Sequence, residues 1–396
     1  MREMEVWIAA DSLKKKRGYS GARLTLPAGR ETIRDSMQRA HVQENESYQV
    51  EYAGGWPGFL TNILEMDIGT EHRLEEVNLL AYQLSRMNSE QMDTFEGAIA
   101  LRAEEKSSGP FTMKELINFT YNLNCYEFYP GVTSDTALGI VCIEGEMMEF
   151  LEHLPEEDFK FLDPQKVGKE FRRGDQGTFT QKGYVCKNGE PFQEMYDGNQ
   201  YPEIPDMRKS LISVRLVSLA HQDEQGVWLD LPADERALRQ ALTTLKERSF
   251  DYCLIAENKG AAVPFSLIGD EEIGKVNLLA ERIQAFPDSR TLAKYKAAME
   301  LERCDDLDLA LDIAANLESY NFDQKIFSPA RYAECLLEEA GFDTEDPAFK
   351  RFDFEGFGER KLKQIRYIPT AYGLISRNEI PFRQEYTRPQ QEMKLQ

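Results

Sequence analysis

The amino-acid sequence predicts an α+β fold, arranged as an elongated tandem repeat of one unit. Three phrases recur in the same order: "LTLPA" (24–28) and "LDLPA" (229–233), "VNLLA" (77–81 and 276–280), and "NLxxYxF" (122–128 and 316–322). The offset between matching positions falls from 205 to 194 residues and reaches 190 where Gly183 matches Gly373. Small loop differences between two copies of one unit would produce this steady drift, whereas coincidences would not stay collinear.

Each copy opens with a predicted small antiparallel sheet module in the order strand, strand, helix, strand. "MEVWIAA" (4–10) and "SVRLVSLA" (213–220) are rich in residues that favour strands, and the "LPA" strands alternate apolar and polar residues. Apolar residues at helical spacing predict the helix of each copy: Ile33, Met37 and Ala40, and then Leu238, Ala241 and Leu245.

A helical module follows in each copy. Apolar stripes at three-to-four spacing predict its first helix: Leu74, Val77, Ala81 and Leu84, and then Ile273, Val276, Ala280 and Ile283. Glu75 and Glu76 fall off this stripe, so we expect them to face water. The "NLxxYxF" phrase ends a later helix, and we expect Leu123 and Leu317 in this phrase to be core residues.

Each copy closes with a predicted α/β end module. We expect helices at "GEMMEFLEHLP" (145–155) and "ARYAECLLEEAG" (330–341), stopped by Pro155 and Gly341. The stretch "DFEGFGERKLKQIRYIPTAYGLI" (353–375) is interpreted as strand, turn, strand, with "FEGFGE" as the turn. The predicted boundaries are sheet modules at 1–60 and 211–262, helical modules at 61–135 and 263–327, end modules at 136–190 and 328–396, and a linker at 191–210.

Composition and charge restrict the possible functions. Among 396 residues there are 69 acids and 47 bases, which gives a formal net charge of −22. Such a surface repels nucleic acid and membranes and attracts basic proteins. The six cysteines form no CxxC pair and no apolar run is long enough to span a membrane, so we expect a cytoplasmic protein with unreactive thiols.

The sequence contains no recognisable catalytic, cofactor-binding or metal-binding motif. The four histidines (His41, His72, His153 and His221) have no partner at metal-ligand spacing, and each is interpreted as a surface or capping residue. Nucleophile-elbow and phosphate-binding glycine motifs are absent, and the basic stretch "KKKR" (14–17) is interpreted as solvated. We therefore expect a protein that is not an enzyme and has no cofactor or metal.

Acidic helices on a long repeat could imitate part of a DNA duplex. Carboxylates three or four residues apart on a helix lie about 5–6 Å from each other. Duplex DNA carries one charge per about 1.7 Å of axis, so 22 charges correspond to about 37 Å of duplex. Charge alone would therefore give a partial imitation, and shape would have to contribute.

The ordered motifs resemble the antirestriction protein family ArdA. The resemblance lies in the strand that ends in "LPA" (24–28 and 229–233), the "EEVNLLA" helix (75–81) and the close "DFEGFGE…IPTAYGLI" (353–375). It covers most of both copies and implies a protein that mimics bent DNA and blocks type I restriction-modification enzymes. This chain departs from the family in holding two units, and its strands before "IG" keep only Glu51 and Glu257 of the usual acidic run.

The resulting hypothesis is a DNA-mimic antirestriction protein whose partner is the methyltransferase core of a type I enzyme. We expect no nucleic-acid or membrane partner, and a monomeric chain whose copies pair as an internal pseudo-dimer. The alternative is an acidic protein-binding module of a mobile element that contacts another basic partner. The predicted mimic surface comprises Glu75, Glu76, Glu144, Glu146, Glu149, Glu152, Glu156, Glu157, Asp305, Asp306, Asp308, Asp312 and Glu318.

Overall fold

The computed structural model describes residues 3–43, 45–69, 73–104, 109–202, 210–220, 226–260 and 262–387. His72 and His221 lie outside these ranges. The chain divides into two compact units. The first comprises 1–6, 25–27 and 50–204, and the second comprises 7–24, 28–49 and 205–396. Mixed helices and small three-stranded sheets confirm the α+β class.

The elements of the N-terminal half follow one another in a simple order. They are β1 (Met4–Ala10), β2 (Ala22–Leu26), α1 (Arg30–Arg39), β3 (Tyr48–Tyr52), α2 (Gly58–Asn62), α3 (Leu74–Arg86), α4 (Ser89–Glu104), α5 (Met113–Tyr121), β4 (Tyr126–Pro130), α6 (Asp135–Glu144), α7 (Pro164–Asp175), β5 (Thr178–Phe179) and β6 (Gly183–Lys187). Strand order is β2-β1-β3 in one sheet and β4-β6-β5 in the other.

The C-terminal half contains a similar series. Its elements are β7 (Ile212–Ser218), β8 (Val227–Leu231), α8 (Glu235–Leu245), β9 (Cys253–Gly260), α9 (Ile273–Gln284), α10 (Ser289–Glu302), α11 (Leu307–Ala315), β10 (Tyr320–Asp323), α12 (Pro329–Glu339), α13 (Phe354–Ile365), β11 (Ile368–Thr370) and β12 (Gly373–Arg377). Strand order is β8-β7-β9 and β10-β12-β11.

The first elements of each half are those that the sequence predicts. The order strand, strand, helix, strand is confirmed at both predicted places. Both predicted stripes of the helical modules are buried, because all eight of their apolar residues are at most 4 % exposed. Leu123 and Leu317 are only half-buried, however, so the expectation that they are core residues is wrong.

The predicted helix at 145–155 is wrong. The helix of this region is α6, which ends at Glu144, and Glu146 has a left-handed backbone with φ of 49°. A left-handed residue cannot continue an α-helix, so the chain turns there. The segments Leu151–His153 and Glu156–Phe161 are short 3₁₀ turns.

The strand predicted at the start of 353–375 is also wrong, because "FEGFGE" begins the helix α13. Asp353 caps this helix, with its Oδ1 accepting a hydrogen bond from the Gly356 amide at 2.9 Å. A Cβ atom on Gly358 would lie 1.9 Å from the carbonyl oxygen of Pro329 in α12. Gly358 therefore serves close packing of α13 on α12, and only β11 and β12 are strands in this stretch.

The first part of the predicted linker is fixed to α5. The Asn122 amide donates to the carbonyl of Gln193 at 2.8 Å and its oxygen accepts from the Gln193 N–H at 2.7 Å. Asn118 binds the backbone of Met195 and Tyr196 in the same way. Tyr196 is fully buried, so 193–196 are part of the fold of the first unit.

The polar face of α1 is buried within the second unit. Lys296 of α10 donates from Nζ to Oδ1 of Asp35 at 2.6 Å, and the hydroxyl of Tyr372 donates to the same oxygen at 2.8 Å. Gln38 donates to the carbonyl of Ser289 at 2.9 Å. This helix of the N-terminal sheet module thus packs on helices and strands of the C-terminal half.

The residues that flank α1 extend this contact and correct one expectation. The Arg17 guanidinium lies 4.0 Å from the centre of the Phe354 ring and donates to the Thr344 carbonyl at 2.9 Å, so this end of "KKKR" is not solvated. His41 is 5 % exposed and follows the C-terminus of α1 with φ of 55°, so of the two expected roles it has the capping one. Its Nδ1 lies 3.1 Å from the carbonyl oxygen of Gln324.

Candidate acidic interface

The structure places the predicted mimic residues in three environments. Nine are exposed: Glu75, Glu144, Glu146, Glu149, Glu156, Glu157, Asp305, Asp306 and Glu318. Asp308 is partly exposed, and Glu76 and Asp312 are buried. The side chain of Glu152 lies outside the described part of the structure. Only Glu75, Glu76, Glu144, Asp308 and Asp312 lie within α-helices, so the described members of the set do not form a row of carboxylates along one helix.

Asp312 is a structural residue, and the expectation that it faces solvent is wrong. Its Oδ1 accepts from the amides of Glu385 and Tyr386, and its Oδ2 accepts from the amide and hydroxyl of Thr387. Burial alone would raise the pKa of this carboxyl, but the hydrogen bonds outweigh burial and hold the pKa below its usual value. Asp312 therefore fixes residues 385–387 to α11.

Glu76 is also turned inward rather than toward solvent. Its Oε1 accepts from the hydroxyl of Tyr196 at 2.7 Å and lies 3.5 Å from a guanidinium nitrogen of Arg73. Burial, together with this hydrogen bond to a carboxylate, raises the pKa of the Tyr196 phenol far above its ordinary value. Glu76 thus anchors the segment that follows β6, and Glu75 remains as the exposed acid of this helix.

The first acidic surface lies in the first unit, and we call its exposed carboxylates the 144–157 patch: Glu144, Glu146, Glu149, Glu156 and Glu157. Residues 115–159 contain no Lys or Arg. The same stretch holds ten acids: Glu115, Glu127, Asp135, Glu144, Glu146, Glu149, Glu152, Glu156, Glu157 and Asp158. No ion pair within the described residues involves a carboxylate of the patch.

Large apolar side chains are exposed in the same region. Ile140 is 43 % exposed, Phe150 is 42 % exposed and Phe161 is 77 % exposed. Each of these residues lies within six positions of a patch carboxylate in the sequence. This part of the first unit therefore offers both negative charge and apolar contact area, which a phosphodiester backbone alone does not.

A second group of carboxylates lies where α9 and α11 begin, in the second unit. Asp306 caps α11, with its Oδ1 accepting from the Leu309 amide at 2.8 Å. Partial burial raises the pKa of Glu271, and the nearby carboxylates of Asp270, Asp308 and Asp306 raise it further. Lys275 is the cation within this group, 2.8 Å from Asp308 and 3.3 Å from Glu272.

Sequence reasoning missed three of the five acids in this second group. Asp270, Glu271 and Glu272 were not among the predicted mimic residues, although "DEE" stands directly before α9. Acids at that position are favoured by the partial positive charge of a helix N-terminus. This signal could have found them. We call Asp270, Glu271, Glu272, Asp306 and Asp308 the 270–308 cluster.

Two observations on the described residues concern metal and small-molecule binding. No group of three or more His, Cys, Asp or Glu among them could hold a metal ion. A cavity of about 600 Å³ in the first unit is lined by Arg102, Lys114 and several aromatic residues. Arg102 binds Glu115 at 2.9 Å and Lys114 binds Glu194 at 3.0 Å, so the protein's own acids occupy these cations.

No known family model matches the chain, and no curated protein matches its sequence. Among the described residues, no helix has both the length and the apolar character needed to cross a membrane. All six cysteines are free thiols, and five of them are buried.

Proposed function

We propose that this chain is a DNA-mimic antirestriction protein that occupies the DNA-binding groove of a type I restriction-modification enzyme. The observation that carries the proposal is the 144–157 patch, which presents five exposed carboxylates in a stretch without Lys or Arg. DNA-binding grooves use Lys and Arg to neutralise phosphates. A surface that presents carboxylates without cations is complementary in charge to such a groove.

The resemblance to ArdA and the internal repeat support the same proposal. On this proposal the chain is an elongated tandem repeat whose two copies act together as an internal pseudo-dimer. Matching details favour the repeat: Asn122 binds both backbone groups of Gln193, and Asn316 binds those of Arg383. The recurrence of "NLxxYxF" is therefore explained by an asparagine that binds the backbone of a later segment in each half, and the acidic surface carries the function.

A second candidate function is an acidic module that binds a basic protein other than a DNA-processing enzyme. The exposed Phe161 and Phe150 favour this candidate, because aromatic side chains often anchor protein interfaces. The two candidates differ in one respect that can be measured. A DNA mimic competes with duplex DNA for its partner, whereas an ordinary protein-binding module does not have to.

The test is binding to a purified type I methyltransferase core, measured over a salt series and in the presence of duplex DNA. We expect duplex DNA to displace the protein and affinity to fall as salt rises. A variant with Glu149→Gln, Glu156→Gln and Glu157→Gln should bind more weakly and with a shallower salt dependence. The matched control changes three exposed acids elsewhere: Glu339→Gln, Glu359→Gln and Glu379→Gln.

Two results would overturn the proposal. One is binding that a saturating amount of duplex DNA leaves unchanged, which would favour the second candidate. The other is equal weakening by the patch variant and by the control, since net charge rather than the patch would then explain the affinity.

A further inference from the structure

The face of α1 that is docked in the second unit has an exposed counterpart on α8. His41 stands just after α1 and Lys246 just after α8, and both have a left-handed backbone, with φ of 55° and 58°. We therefore treat these two positions as equivalent when the sequences of the two helices are aligned. This alignment matches Asp35 with Gln240 and Gln38 with Thr243. Asp35, Gln38 and His41 are buried, whereas Gln240, Thr243 and Lys246 are all exposed.

The surface that receives α1 also has a counterpart, which lies in the first unit. Thr180 and Thr370 each donate to the carbonyl of a glycine three residues later, which matches Lys182 with Tyr372. Asn88 and Asp288 cap α4 and α10 in the same way, which matches Glu96 with Lys296. The Lys182 side chain is 50 % exposed, so this counterpart is open.

The two open surfaces carry charges of opposite sign to each other. In the docked pair α1 supplies the acid Asp35 and α10 supplies the cation Lys296. In the open pair α8 and the residue after it present three cations, Arg236, Arg239 and Lys246, while α4 presents Asp93 and Glu96. At the matched positions Glu96 reverses the sign of Lys296 and the neutral Gln240 replaces Asp35, so the two open surfaces are complementary to each other.

Nearby charges reduce this attraction without cancelling it. Lys182 forms ion pairs with Asp93 and with Glu96, the latter at 3.6 Å, and Arg239 pairs with Glu235. Arg236 and Lys246 remain exposed on α8. Near α4, the exposed Ile140 occupies the position that the buried Glu334 occupies in the second repeat of the same chain. An apolar contact is therefore available as well.

We propose that a second copy of this chain docks the exposed face of its α8 onto the surface formed by α4, α6 and the turn before β6. The contact repeats between two molecules the arrangement that joins α1 to α10 within one molecule. It joins two different surfaces, so it is heterologous and can continue head to tail. The inference rests on the proposed tandem repeat and not on DNA mimicry, and it replaces the expectation of a monomeric chain.

The experiment is sedimentation of the full chain at low salt over a range of concentrations. We expect the average mass to rise with concentration above the 45.5 kDa of one chain. Two α8 variants should each remain at the mass of one chain: the charge reversal Arg236→Glu with Arg239→Glu, and the steric variant Thr243→Trp. The matched control, Lys350→Glu with Arg351→Glu, changes exposed cations elsewhere and should associate like the unmodified protein.

A charge exchange gives the sharper result. The variant Asp93→Asn with Glu96→Lys should also remain at the mass of one chain. Mixed with the Arg236→Glu, Arg239→Glu variant, it should associate again in alternating order. The acidic α8 of one variant then meets the basic α4 of the other, and the unchanged α8 and α4 form the original contact. Circular dichroism spectra would establish that each variant is folded.

The proposal is overturned if the unmodified chain keeps the mass of one chain at every concentration and the mixed variants form no complex. It is also overturned if the control reduces association as much as the α8 variants do. Neither result bears on competition with duplex DNA, so the proposed function is tested separately.

Discussion

Lys296 Nζ lies 2.6 Å from Oδ1 of Asp35 in the second unit, and the two side chains are only 5 % and 11 % exposed. The carboxylate also accepts hydrogen bonds from the Tyr372 hydroxyl and from Arg39 Nε. A buried carboxylate with three donors is well satisfied, and removal of one partner leaves the remaining charge poorly compensated.

We therefore expect Lys296→Met to destabilise the second unit by about 3–5 kcal/mol. In a double-mutant cycle with Asp35→Asn, the two losses should be far from additive, because the variants remove the same interaction. Urea unfolding measures both quantities. The control is Lys294→Met on the same helix, which should cost much less because Lys294 is only half-buried. Additive losses would contradict the pairing.

His41 should make stability depend on pH. Burial lowers the pKa of its imidazole from 6.5 to about 4, although the contact with the Gln324 carbonyl opposes the shift. Between these values the unfolded chain takes up a proton that the folded chain does not, so stability falls as pH drops from 6.5 toward 4. The difference between the two pKa values corresponds to about 3 kcal/mol.

The comparison for this prediction is the variant His41→Asn, because asparagine tolerates the left-handed backbone at this position. Its unfolding free energy should decline less between pH 6.5 and pH 4 than that of the unmodified chain. Parallel curves for the two proteins would show that His41 is not the group responsible.

Asp312 and Asp308 lie four residues apart on α11 and should respond differently to substitution. Asp312→Ala removes four hydrogen bonds from a buried site, so we expect a loss of about 3 kcal/mol or more. Asp308→Ala removes a partly exposed ion pair with Lys275, so we expect a loss of about 1 kcal/mol or less. Thermal unfolding of both variants tests the contrast, and similar losses would contradict it.

Asn316 should contribute more to stability than its neighbour Leu317. Asn316 is 3 % exposed and exchanges two hydrogen bonds with the backbone of Arg383, whereas Leu317 is half-buried. We expect Asn316→Ala to cost about 2–3 kcal/mol and Leu317→Ala to cost about 1–2 kcal/mol. Proteolysis near 383 should also become faster in the first variant only. The reverse order of costs would contradict this role of Asn316.

Glu271→Gln should stabilise the protein at neutral pH. The pKa of Glu271 is raised by partial burial and by Asp270, Asp308 and Asp306, so its ionised form is unfavourable in the folded chain. Removal of this charge should raise the melting temperature at pH 7. The gain should shrink as pH falls and the native carboxyl becomes protonated. A lower melting temperature at pH 7 would instead assign Glu271 a favourable contact.

Helices with a regular spacing of apolar residues could be predicted from the sequence. Elements whose glycines serve close packing against another element could not. The stripe from Leu74 to Leu84 is buried as predicted, because apolar spacing reports directly on one helical face. By contrast, Gly358 in α13 indicated a turn by residue type. Its actual role depends on contact with Pro329, which no local pattern contains.

The acidic residues show the same limit. Exposure was predicted for Glu144 and Glu156 from charge alone, and both are exposed. The same argument failed for Asp312, because its four hydrogen-bond donors come from residues that lie 73 to 75 positions further along the chain. A buried acid is distinguished from a surface acid by its distant partners, and these are absent from the local sequence.

The docking of α1 has a consequence for how the protein is made. Lys296 follows Asp35 by 261 residues. At a translation rate of roughly 5–20 residues per second, the ribosome needs roughly 13–50 s to supply the partner of a helix that has already left the exit tunnel. During that interval the side chains of Asp35, Ser36 and Gln38 form hydrogen bonds with water rather than with protein groups. A polar docking face is compatible with this wait, whereas an apolar face of the same size would recruit chaperones or aggregate on nascent chains.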